Sequence, residues 1–151
     1  MQTMTATRPK VSTVVGRTKT PEVLRRIEAI ESLDLSQIKA KLMMPSPEGK
    51  DWTQEQADVA ETWYKRFLIL HLLYPTHRNV PNSPIDAFWH GHILDTRKYA
   101  EDCEVTFGFF LHHFPYFGMR GPEDARDLED AFGETCLLYE AEFGEPYVDM
   151  A

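Results

Sequence analysis

The stretch Phe67-Leu68-Ile69-Leu70-His71-Leu72-Leu73-Tyr74 is apolar around its whole circumference except at His71, and Pro75 ends it. A helix without a polar side cannot lie on a surface, so other elements must enclose it. Upstream, Thr53-Gln54-Glu55-Gln56 is a capping box: the Thr hydroxyl can accept from the amide three residues on, and Gln56 can return the bond. Together they predict one long helix over 53–73 whose second half is the buried centre of the chain. Val59, Trp63, Phe67 and Leu70 share one face of it at helical spacing.

Caps and periodicity place four more helices around this one. Thr20-Pro21 reads as N-cap and N1 of a helix reaching about 33, with Val23, Ile27 and Ile30 as its stripe. Asp34 or Ser36 caps a short helix to about 43, and Pro45, Pro47 and Gly49 form the loop after it. Ser83-Pro84 is a second cap-and-proline pair, opening a helix over 84–107 that stops at Gly108. A loop over 109–121, rich in aromatics and histidines, precedes the last helix, which runs from Pro122 to about 143 with Leu128, Phe132, Cys136 and Tyr139 as its stripe. No alternating strand pattern and no internal repeat remain. The expected fold is all-α: a single-domain bundle of about five helices over 20–147, with a flexible N-terminal tail over 1–19.

Bulk properties narrow the function. A net charge of -8 disfavours a general nucleic-acid or anionic-membrane binder. Basic residues gather early (Arg8, Lys10, Arg17, Lys19, Arg25, Arg26), whereas the last helix is acidic and is the place where a protein partner would dock. No run approaches the roughly 20 apolar residues of a membrane span, and the N-terminus lacks the apolar core of a signal peptide. Cys103 and Cys136 are too few and too far apart for a disulfide framework. Buried thiols in a reducing, cytoplasmic setting are the expectation.

The chemistry concentrates in Ile85-Asp86-Ala87-Phe88-Trp89-His90-Gly91-His92 and in His112-His113, which together hold four of the chain's six histidines. Neutral imidazole is the commonest metal ligand and titrates near neutrality. On a regular helix His90 and His92 point about 200° apart, so both can serve one ion only if the helix is distorted there; Gly91 makes that easier and lets another backbone approach. His92 falls on the apolar face with Ile85, Trp89, Thr96, Tyr99 and Cys103. Asp86 and His90 form an i, i+4 pair, the arrangement in which a carboxylate orients an imidazole or shares a metal with it. Asp95, one turn beyond His92, is a further oxygen donor.

The run over 85–113 resembles the glycine-rich domain-containing protein-like family, a domain of unknown function (the DUF1399 type). The shared pattern falls on Ile85-Asp86, Trp89-His90-Gly91-His92, Tyr99, Asp102, Gly108 and Leu111-His112-His113. The resemblance implies that His113, rather than His112, pairs with His90 and His92, and it supplies no reaction. The glycine-rich region of the longer plant members has no counterpart here, so the chain looks like a short stand-alone version.

Three readings follow. One is a metal site for Zn, Fe or Cu built from His90, His92 and His113 with Asp86 or Asp95, with the possibility of a small metalloenzyme. Another is a metal-free interaction module in which the histidines lock a polar core. The third is acid–base catalysis by the Asp86–His90 pair without metal. Glycine-rich phosphate loops and the Gly-x-Ser-x-Gly nucleophile elbow are absent from the sequence.

Overall fold

The computed structural model describes residues 14–148, which form six helices and no strand. They are α1 (Pro21–Glu31), α2 (Ser36–Leu42), α3 (Gln54–Leu73), α4 (Ser83–Leu94), α5 (Thr96–Thr106) and α6 (Pro122–Phe143). Of the segment read as a tail, 1–13 lies outside the described residues, as do the early basic residues Arg8 and Lys10. The remainder is not helical, but it is fastened to the body: Val14 packs against the cluster of Leu70, Leu138 and Tyr139, the Arg17 amide donates to the Leu73 carbonyl at 2.7 Å, and Lys19 pairs with Glu142.

The central helix forms as its signals require. Thr53 and Gln56 exchange both capping-box bonds, at 3.1 and 3.0 Å. Phe67, Leu68, Ile69, Leu70, Leu72 and Leu73 are all buried, and α1, α2, α4 and α6 pack around α3. Each such side chain contributes about 1.5–3 kcal/mol relative to exposure. An exposed ion pair such as Arg26–Glu22 is worth at most about 1 kcal/mol, so enclosure of α3 dominates the fold. The buried face of its first half is Ala57, Ala60 and Tyr64 rather than Val59 and Trp63. Val59 is exposed and Trp63 half-buried, because register with Phe67 decides the face and small alanines admit the neighbouring helices. On α6 the same shift occurs: Thr135, Leu138 and Tyr139 are buried while Phe132 is exposed.

The largest departure from expectation is the helix over 84–107. It begins one residue early, capped by Asn82, whose side chain accepts from the Ile85 amide at 3.0 Å. It then breaks at Asp95, where ψ of 72° leaves the helical region, and the chain reverses into α5. No glycine or proline marks the break; the bonds across it do. His92 Nε2 lies 2.8 Å from Asp102 Oδ2, and Trp89 Nε1 donates to the Tyr99 hydroxyl at 2.9 Å. Along a continuous helix, residues ten apart would stand about 15 Å from each other. Gly108, at φ 78°, ends α5 where expected.

His92 is thereby built into the core. It is 1% exposed, with Asp102 on Nε2 and the Tyr64 hydroxyl 2.7 Å from Nδ1. A carboxylate only accepts, so Nε2 carries the proton and Tyr64 donates to Nδ1. Tyr64→Phe leaves a buried ring nitrogen without a partner and should cost about 1–3 kcal/mol, read as a lower urea midpoint with unchanged helix content.

Two histidines should also make stability pH-dependent. Burial holds His71 down at about 3, with His77 and His113 adding like-charge cost. Burial likewise holds His92 below the ordinary imidazole value, against the opposing pull of Asp102. The unfolded chain binds these protons more readily. Their contribution is therefore full above about pH 6.5 and is lost as pH falls toward the folded-state values, at up to ~1.4 kcal/mol per pH unit for each site. Urea unfolding between pH 7 and 5 should show this loss, and His71→Phe should flatten it.

Candidate metal centre

Asp86 and His90 lie one turn apart on the face of α4 opposite Phe88 and His92, which face the core. His113 arrives from the 109–121 loop. A short relay fixes it there: Trp89 on α4 donates to Tyr99 on α5, and the Tyr99 hydroxyl donates to the carbonyl of Leu111, two residues before His113. The His113 ring then rests against Trp89, centroids 4.3 Å apart. Burial lifts the Tyr99 phenol well above its usual value, so it remains a neutral donor.

Three ligand-type atoms converge as a result. His113 Nε2 is 2.8 Å from Asp86 Oδ1 and 3.2 Å from His90 Nε2, and His90 Nε2 is 3.4 Å from Asp86 Oδ1. Ligands held at about 2.0–2.1 Å around a tetrahedral ion stand about 3.3 Å from one another, and octahedral neighbours about 2.9 Å. The observed sides bracket both values. Among the described residues this is the group of His, Cys, Asp or Glu side chains with metal-holding geometry. Burial alone would raise the Asp86 carboxyl, but the His113 hydrogen bond and the charges of His90 and His113 outweigh it. The carboxyl sits below its ordinary value and is ionised at neutral pH.

The other candidates lie elsewhere. Both nitrogens of His92 are committed to Tyr64 and Asp102, so the structure does not bring it to Asp86, His90 and His113. Its side chain sits on the opposite side of α4, as the 200° separation on a helix requires. Asp95 is the hinge between α4 and α5 and shares a cleft with Asp86 and His90 without joining their cluster. His112 is exposed, its ring tilted against Phe110. Burial pushes the Cys103 thiol up, away from a ligating thiolate, and no disulfide links it to Cys136. Gly91 has a close neighbour, but it is a side chain rather than a backbone: a Cβ there would meet Ile38 Cγ2 of α2 at 3.0 Å. Sequence reasoning missed the Tyr64–His92 bond and the Leu111 anchor, since nothing local in a sequence marks contacts of this kind.

Two clefts flank the cluster. One, of about 630 Å³, lies between α2 and α4 and is lined by Asp86 and His90. The other, of about 400 Å³, is lined by Asp86, His113, Trp89 and His71. Asp86 is common to both. No described helix is long and apolar enough to cross a membrane.

No curated protein and no solved structure matches the chain. A family model described as UCP032817-like matches residues 25–140. This match corrects the resemblance to the glycine-rich domain-containing protein-like family, which rested on the short run over 85–113, whereas the new match takes in every helix except the ends of α1 and α6. The chain belongs to the UCP032817-like family.

Proposed function

We propose that the protein binds one divalent transition metal through Asp86 Oδ1, His90 Nε2 and His113 Nε2. The convergence of these three atoms within 2.8–3.4 Å carries the reading. A cation placed among the carboxylate and the two imidazoles would satisfy all three atoms together. Two imidazoles and one carboxylate suit a zinc site or the facial triad of non-haem iron, and copper is also compatible. Three protein ligands leave positions open, which is the mark of a catalytic rather than a closed structural site. The flanking clefts give a small substrate access to those positions. This supports a small metalloenzyme in which Asp86 and His90 are both ligands and the residues nearest the reacting atoms.

A second reading, a metal-free interaction module, draws on two observations. His92 is already a structural lock, and α6 packs against α3 alone among the helices while exposing Glu123, Asp127, Glu129 and Asp130. That face would suit a basic protein partner, and charge reversal along it would abolish such binding. The half-exposed His90 does not fit a core lock, which places the metal reading first.

Calorimetric titration of metal-stripped protein with Zn, Fe and Cu salts should show one site. Asp86→Asn, His90→Ala and His113→Ala should each weaken it by about 100-fold or more while leaving the fold intact. His92→Gln should lower stability yet keep the stoichiometry. At a free-metal concentration of about 100 Kd the native state should gain ~2.7 kcal/mol. A protein whose unfolding ignores all three metals overturns the reading.

A further inference from the structure

The smaller cleft, between the α3–α4 connection and the 109–121 loop, contains a buried nitrogen without a hydrogen-bond partner and a guanidinium without an ion pair. His71 Nε2 is, among the described residues, the buried side-chain nitrogen or oxygen without a hydrogen-bond partner. Its ring lies edge-on to Phe67 at 4.7 Å and lines the cleft with Trp89, Asp86 and His113. Arg78, also lining it, places its guanidinium 3.6 Å from the centroid of Phe117 and forms no ion pair with a described carboxylate. A guanidinium flattened on an aromatic ring keeps its outer N–H groups directed at whatever enters.

A phenylalanine at position 71 would make the same edge contact with Phe67 and leave no orphan nitrogen. The imidazole therefore weakens the core where it stands, and a partner arriving from the cleft is what would satisfy it. Because burial keeps the His71 ring neutral down to about pH 3, it offers a hydrogen bond rather than a charge. The larger cleft is less suited to an anion: Lys41 and Lys50 are outnumbered there by Glu48, Asp86 and Asp95, whereas in the smaller one Arg78 faces Asp86 alone.

We propose that the smaller cleft binds a small organic anion. Its carboxylate or phosphate pairs with Arg78, its apolar body lies along Trp89 and Phe117, and a polar group bonds to Nε2 of His71. A volume of about 400 Å³ is at the small end of ligand sites and suits a one- or two-ring molecule. The contacts named do not require the metal, so the site goes beyond the metal reading. With an ion held by Asp86 and His113, the bound molecule would lie beside it.

The test is nuclear magnetic resonance titration of the full chain, metal-stripped and metal-loaded, with 2-naphthoate, 2-naphthyl phosphate and the uncharged 2-naphthamide. The expected result is saturable movement of the Trp89 indole signal by one or both anions, with the amide at least tenfold weaker; which anion binds tighter identifies the acidic group. Arg78→Gln, at an exposed position, should erase the preference for anion over amide. His71→Phe should weaken binding at least fivefold while raising the melting temperature, opposite directions that a packing role would not produce. Equal binding of the amide, an unaffected Arg78→Gln, or movement confined to Gly91 and Ile38 of the other cleft would each overturn the proposal. If the anion binds as described and no metal does, this site stands and the metal reading falls.

Discussion

The reversal at Asp95 is the constraint on which the rest of the molecule depends. Had α4 and α5 continued as one rod, Trp89 could not reach Tyr99, and His92 could not reach Asp102. Folding the chain back converts one long amphipathic helix into two short ones that bond through buried polar groups. Those bonds are strong where they lie, because the alternative is an unsatisfied donor or acceptor away from water. They also have a consequence beyond α5: the hydroxyl that accepts from Trp89 donates to Leu111, and so the loop bearing His113 is held from inside the core.

Burial sorts four of the six histidines into three physical situations. His92 is enclosed with a partner on each nitrogen, and its imidazole is a structural part. His71 is enclosed at Nε2 with no partner there, a cost the fold carries without evident structural return. His90 and His113 stand at the surface of α4 with Asp86, where solvent or an ion can reach them. The same residue type therefore supplies a lock, an orphan and a pair of accessible imidazoles beside a carboxylate within two helices and one loop. Chemical identity alone does not separate these roles; access to water and the count of neighbouring donors do.

What the sequence shows of this arrangement, and what it hides, follows from range. Signals read within one turn were sound: the capping box at Thr53, the enclosed run after Phe67, the stop at Gly108, and the i, i+4 relation of Asp86 to His90. The 200° offset between His90 and His92 was also legible, and the structure has them on opposite sides of α4. The break at Asp95 was not, because nothing in Leu94-Asp95-Thr96 forbids a helix; contacts ten residues apart impose the bend. The stripes of α3 and α6 were right at Phe67, Leu70 and Tyr139 and misplaced at Val59 and Phe132, for a related reason. Val59 and Phe132 are the more apolar residues, yet Ala57, Ala60 and Thr135 occupy the interior, since close helix approach selects small side chains over hydrophobic ones. The Tyr64–His92 bond joins residues 28 positions apart and lies beyond any periodicity argument.

The placement of the cluster bears on how a metal would relate to folding. In small metal-dependent domains the ion sits where a core would be, and its loss unfolds the chain. Here the enclosed helix α3 supplies the core, and Asp86, His90 and His113 lie outside it. Two of the three are fixed by α4 itself, and the third by the Trp89–Tyr99–Leu111 relay. The positions of the three side chains are thus set by the protein's own contacts, and little of the energy of binding an ion there would go into ordering them. On the proposed reading, a site of that kind would suit chemistry at the ion better than stabilisation by it, because coordination positions could be left open without endangering the fold.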